Sequence, residues 1–181
     1  AYAGAMGKVN DIDVIYVLVK AIAVNFNNVR LHIFGGGYKR EEMMKELANF
    51  KDIVIFHDLV PKNEIYRVLS SLDILFFHIA DVFFYGISCN KLFDYLAVGK
   101  PIIFFANVPN NIVEEAGAGI TVKNLDEVIE AIKKLMNMSK EELQKMGQNG
   151  RKYVEKNYSM QILVGKLEQV IQEVYQNYLK K

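Results

Sequence analysis

The sequence predicts an α/β fold with a doubly wound parallel sheet of about six strands, helices on both faces and extra helices at the C-terminal end. Three observations carry this. Short runs rich in Val, Ile and Phe alternate with helical patterns along residues 1–137. The runs are apolar throughout rather than alternating, as in strands covered on both faces. Capping residues mark several of the helix starts that separate them.

Taken in order, strands are expected at 2–5, 29–34, 53–56, 73–79, 101–105 and 119–122. Helices are expected between them at 11–25, 39–49, 62–70, 90–98, 110–116 and 125–136. Strand, helix and strand at this spacing form right-handed crossover units, hence a Rossmann-like sheet. Asn10 precedes a helix with Asp13 three residues on, and Asn124 precedes one with Glu127, so both read as near capping boxes. Pro61 stands where a missing N–H costs little, near the start of the helix carrying Asn63-Glu64-Ile65. From Ser139 the pattern changes to two polar helices, 139–156 and 159–180, with a break at Asn157-Tyr158. Ile162, Leu167, Val170, Ile171, Val174 and Leu179 give the last helix an apolar stripe longer than one small domain needs. That stripe is expected to lie on another domain.

Composition narrows the function classes. The chain has 181 residues, 51% of them apolar, which is enough for one packed domain spanning 1–181 with its core in 1–137. Lys and Arg number 22 against 21 Asp and Glu, so the concentrated basic stripe of a nucleic-acid binder is not expected. No apolar run approaches the ~20 residues of a membrane helix. The single cysteine, Cys89, allows no internal disulfide and fits a reducing, cytoplasmic compartment. The opening Ala1-Tyr2-Ala3-Gly4 reads as a strand running into a glycine turn. It leads us to expect a domain of a longer polypeptide whose N-terminal partner domain is missing from this chain.

In an open parallel sheet, ligands gather outside the carboxyl ends of the strands. Four such ends carry unusual residues. Gly4-Ala5-Met6-Gly7-Lys8 is either a tight turn with a solvated lysine or an anion-binding turn, and it has neither Walker nor dinucleotide spacing. Gly35-Gly36-Gly37 allows close approach of backbone to a ligand. His57-Asp58 reads as hydrogen-bonded structure. The richest end runs from Asp81 to Pro101. Ser88 is a candidate N-cap there, so the helix start would present amides and a positive dipole end. Lys91 and Asp94 are three apart, and Asn90 and Asp94 four apart, so they share a helical face. Lys91 with the amides could hold a diphosphate, while Asp94 accepts from a ribose diol. The plain alternative is an amphipathic helix with Leu92, Phe93 and Leu96 in the core.

The run from Tyr85-Gly86-Ile87-Ser88-Cys89-Asn90-Lys91-Leu92-Phe93-Asp94-Tyr95 to Gly99-Lys100-Pro101-Ile102-Ile103 closely resembles the nucleotide-sugar site of bacterial, retaining GT-B glycosyltransferases of group 1. Tyr2-Ala3-Gly4, residues 31–37, residues 56–62, and Asn107-Val108-Pro109-Asn110 through Gly119 agree with it. The resemblance covers 1 to about 135 and matches the C-terminal, donor-binding half of such enzymes. It implies a hexosyltransferase that moves a sugar from a nucleotide diphosphate sugar to a glycan or lipid-linked acceptor in surface polysaccharide synthesis. No metal and no cofactor besides the donor is implied. The acceptor would be held by the N-terminal half, which could also lie peripherally at the inner membrane, and the donor half alone would be inactive.

The donor residues implied are Gly7, Lys8, Gly35, Gly37, Val60, Ser88, Asn90, Lys91 and Asp94. Of the two family carboxylates, the second matches Asp94 and the first falls on Gly86. No residue reads as a general base, and His78 reads as a buried structural histidine. The alternatives are a GT-B-fold nucleotide-sugar epimerase, or a non-catalytic module that binds a sugar nucleotide or a protein.

Overall fold

A computed structural model describes residues 1–7, 12–80 and 85–179. Lys8 and Asn10, and with Asn10 the first near capping box, lie outside these. The strands are β1 (Tyr2–Ala3), β2 (Leu31–Phe34), β3 (Val54–His57), β4 (Leu75–His78), β5 (Ile102–Phe105) and β6 (Gly119–Val122). The helices are α1 (Val14–Asn25), α2 (Arg40–Glu46), α3 (Ile65–Ser70), α4 (Asn90–Val98), α5 (Ile112–Ala116), α6 (Leu125–Met136), α7 (Lys140–Tyr158) and α8 (Met160–Leu179).

Of the expected sheet of about six strands, the structure shows two parallel halves of three, β1-β2-β3 and β4-β5-β6. β1 and β4 lie side by side, and Phe76 N donates to Ala1 O at 2.7 Å. Ala1 N also donates to Ile74 O at 2.6 Å, so the two bonds make one parallel step between β1 and β4, and the phenol of Tyr95 takes the next position. Ala3 N donates to Tyr95 Oη at 2.6 Å, and Tyr95 Oη donates back to Ala3 O at 3.2 Å. A side chain from α4 therefore stands where a strand partner would.

Helices cover both faces, as two apolar clusters show. One gathers Ile15, Leu18, Val19 and Ile22 of α1 with Val128, Ile132 and Leu135 of α6. The other gathers Leu92, Tyr95 and Leu96 of α4 with Phe77, Phe104 and Val113. Burial of these side chains is the main stabilising term.

Helix starts follow their caps. Asn124 accepts from Glu127 N, and Ser139 forms a full capping box with Glu142. α3 begins at Ile65 rather than 62, because Pro61 O accepts from the amides of Glu64 and Ile65 in a preceding turn. α5 begins at Ile112, capped by the side chain of Asn111. The break expected at Asn157-Tyr158 falls at Ser159, where the backbone becomes extended. α8 buries none of its residues, and Leu167 and Val174 are 59% and 64% exposed. The six residues of its stripe are all exposed. Among the described residues, no helix is long and apolar enough to cross a membrane.

Candidate nucleotide-sugar site

A cleft of about 300 Å³ opens beyond the carboxyl ends of β1 and β2, between α3 and α4. Its apolar wall is Phe34, Leu59, Val60, Ile65 and Leu69, and its polar wall is Gly4, Gly35, Lys62, Lys91 and Asp94. A larger cavity of about 620 Å³ lies at the opposite end, around Asn28, Asp73, Ile74 and Met138. The smaller cleft has the position that open α/β sheets use for ligands, where strand order reverses.

Two backbone turns form one side. Gly4 N donates to Phe34 O and Met6 N donates to Gly36 O, both at 2.9 Å, so the turns continue the β1–β2 pairing beyond the strands. Gly35 and Gly37 have φ of 128° and 150°. A Cβ on Gly35 would lie 2.2 Å from Gly4 O, and one on Gly37 would lie 2.3 Å from Met6 O. These two glycines are thus required by the approach of one backbone to another. Gly35 lines the cleft, whereas Gly37 is exposed beside it and Gly7 packs near the ring of Tyr38.

The other side is α4. Its start corrects the sequence expectation: Cys89, not Ser88, is the N-cap, with extended backbone and no side-chain cap. Leu92 N donates to Cys89 O at 2.9 Å, so the helical turn begins one residue later than a Ser88 cap requires. Ser88 and Asn90 are exposed and do not line the cleft, while Lys91 and Asp94 do. Both readings of this helix hold at once. Leu92 and Leu96 are buried in the core, and the polar pair faces the cleft.

Lys91 is deeply placed. Its Nζ lies 4.7 Å from the ring centre of Tyr2 and 4.9 Å from that of Phe77, and donates to His78 O at 3.5 Å. Gly4 sits directly on it, since a Cβ there would be 3.1 Å from Lys91 Cδ. Ring faces attract the ammonium, but loss of water disfavours its charge. Burial lowers its pKa to about 8. Asp94 Oδ1 accepts from Tyr66 Oη at 2.5 Å, a bond across α3 and α4 that pushes the phenol up to about 12.

The remaining expectations have plain placements. His78 is buried and Nδ1 donates to Phe105 O at 2.8 Å, as a structural histidine does. His57 pairs with His32 at 2.9 Å. Gly86, with φ of 98°, leaves room for Asn110, whose amide donates to Ile87 O and accepts from Ile87 N. Sequence reasoning missed Lys62, Tyr66, Tyr95 and Asn110. Tyr95 was within reach, being four residues from Lys91 on the same helix face. Tyr66 had no signal, because it meets Asp94 only in three dimensions. Among the described residues no group of His, Cys, Asp and Glu could hold a metal.

Residues 1–138 match the family described as glycosyl transferases, group 1. The chain belongs to that family. Solved structures share its fold. S. aureus TarM, as a variant in complex with fondaparinux, α-GlcNAc-glycerol and UDP, is 14% identical with a TM-score of 0.75, over 93% of this chain and 34% of that one. Sucrose-phosphate synthase from Thermosynechococcus elongatus is 17% identical with a TM-score of 0.73, over 97% of this chain and 46% of that one. Anabaena HepE in complex with UDP is 15% identical with a TM-score of 0.68, over 97% and 48%. The chain thus spans between a third and a half of these proteins. No curated protein sequence matches it.

Proposed function

We propose that the chain is the donor-binding domain of a retaining, metal-independent hexosyltransferase, holding a nucleotide diphosphate sugar for transfer to a glycan or lipid-linked acceptor. The observation that carries this is the projection of Lys91 and Asp94 from one face of α4 into the cleft beyond β1 and β2. The apolar wall of Phe34, Val60, Ile65 and Leu69 suits a nucleobase. Asp94 suits a ribose hydroxyl, since a carboxylate accepts hydrogen bonds and repels phosphate. Lys91 beneath the Gly4 turn suits the diphosphate. As the bond from the sugar to the diphosphate breaks, negative charge grows on the leaving oxygen, and a cation already in place stabilises it. That TarM and HepE are described with UDP supports a uridine nucleotide as the first ligand to test.

The exposed stripe of α8 supports a second domain, the acceptor-binding one, resting on that helix. Transfer by this chain alone is then expected to be absent. The test of donor binding is thermal unfolding with UDP, GDP, ADP and dTDP. A ligand at 100 times its Kd adds about 2.7 kcal/mol, and Asp94→Ala should cut that gain to about half or less. No shift with any of the four nucleotides would refute the reading.

A further inference from the structure

The bond between Tyr66 and Asp94 joins residues 28 apart in sequence, on the two helices that flank the cleft. Tyr66 is 41% exposed, whereas Ile65 and Leu69 of the same helix line the cleft. The tyrosine therefore reaches over the outside of the cleft to take one oxygen of the carboxylate. A carboxylate on a helix surface otherwise turns about χ2 through a broad range.

We propose that Tyr66 is a positioning residue for donor recognition: its hydroxyl holds Oδ1 of Asp94, so that Oδ2 is the oxygen presented to a ribose hydroxyl in the cleft. This rests on the assignment of Asp94 to the ribose made above. The phenol is suited to the task. Its bond to Asp94 raises its pKa to about 12, so it keeps its proton and remains a donor at neutral pH. Tyr66 thus orients without altering charge, and the gain appears as discrimination between nucleotides with and without ribose hydroxyls.

The experiment compares UDP with its 2′,3′-dideoxy analogue by calorimetry on the wild-type chain, Tyr66→Phe and Asp94→Ala. A charge-assisted hydrogen bond to the ribose predicts that wild type prefers UDP by about 10- to 100-fold. Asp94→Ala should bring the two ligands to near equality. Tyr66→Phe should reduce the preference by about three- to ten-fold, because the carboxylate must then be ordered on binding, while binding of the dideoxy analogue stays unchanged. A merely structural tie between α3 and α4 would instead weaken both ligands equally, and that result overturns the proposal. An unchanged preference in Tyr66→Phe, with the preference lost in Asp94→Ala, overturns it too and leaves the ribose assignment standing. A preference that survives Asp94→Ala refutes the ribose assignment, and the proposal with it. Should Tyr66→Phe unfold, Tyr66→Leu serves the same comparison, with the unfolding midpoint as control.

Discussion

The two three-stranded sheets contribute to one cleft by different chemistry. The β1-β2-β3 half supplies close-packed glycine backbone together with the apolar wall from Phe34 and the segment after β3. Its strands end in the turns Gly4–Gly7 and Gly35–Gly37, which pack against each other so closely that side chains are excluded at Gly35 and Gly37. Its strands also carry the paired and partly exposed His32 and His57. The β4-β5-β6 half supplies the polar pair Lys91 and Asp94. β4 is buried along its whole length, including His78 at its end, and the polar groups that face the cleft come from α4. From there Lys91 and Tyr95 reach back across the seam to Tyr2, Ala3 and Gly4 of the other half. Glycine runs are therefore weak indicators of a ligand contact, since here their first duty is backbone packing. Polar residues at helical spacing on an otherwise apolar helix are stronger ones.

The largest test of this contrast is Gly35→Ala. Positive φ and a Cβ pressed on Gly4 O should cost about 2–4 kcal/mol of stability by denaturant unfolding. A neutral result would return Gly35 to a purely ligand-facing role.

Lys91→Met should act in the opposite sense. The folded pKa of about 8 lies below the ordinary value of 10.5, so between these two values the unfolded chain binds more protons. Stability from this group is fully present above pH 10.5 and is lost as pH falls through 8. Removing the charge is expected to raise stability at pH 7 by about 1–3 kcal/mol while lowering nucleotide affinity. A fall in stability at pH 7 would show instead that Lys91 holds the two halves together.

Gly86→Ala is smaller. Its Cβ would meet Asn110 Oδ1 at 2.4 Å, at the end of a side chain that can yield, so about 1–2 kcal/mol is expected. Gly86→Glu should then fail to add a sugar-contacting carboxylate, as donor titrations would show.

The smallest effect belongs to the histidine pair. Burial is the first cause that lowers both pKa values, and His57 and Arg40 add to it for His32 and His57 respectively. The unfolded chain therefore takes up protons first as pH falls below about 6.5, and stability declines there. His32→Gln should flatten that acid slope by an amount under about 1 kcal/mol between pH 7 and 5. An unchanged slope would show that the pair does not titrate as a unit.

Much of the fold was legible because burial on both faces leaves a direct mark on sequence. β6, α4 and α6 have the boundaries expected from residues 119–122, 90–98 and 125–136. Strand and helix ends elsewhere shifted where a turn or a cap competed, as at Pro61 and Asn111. Of the nine expected donor residues, Gly35, Val60, Lys91 and Asp94 come together in the cleft. Ser88 and Asn90 stay outside it, because the α4 turn begins at Asn90 after an extended Cys89.

By itself the sequence determined the alternation of strands and helices, the family, and the helical face that carries Lys91 and Asp94. Each depends on residues near one another along the chain, where period and spacing are physical signals. Tertiary structure alone decided that β1 meets β4 through Ala1, that Tyr95 takes the position beside Ala3, that Lys91 is buried beneath Gly4, and that Tyr66 holds Asp94. Those depend on distances between residues far apart in the chain, which no local pattern encodes.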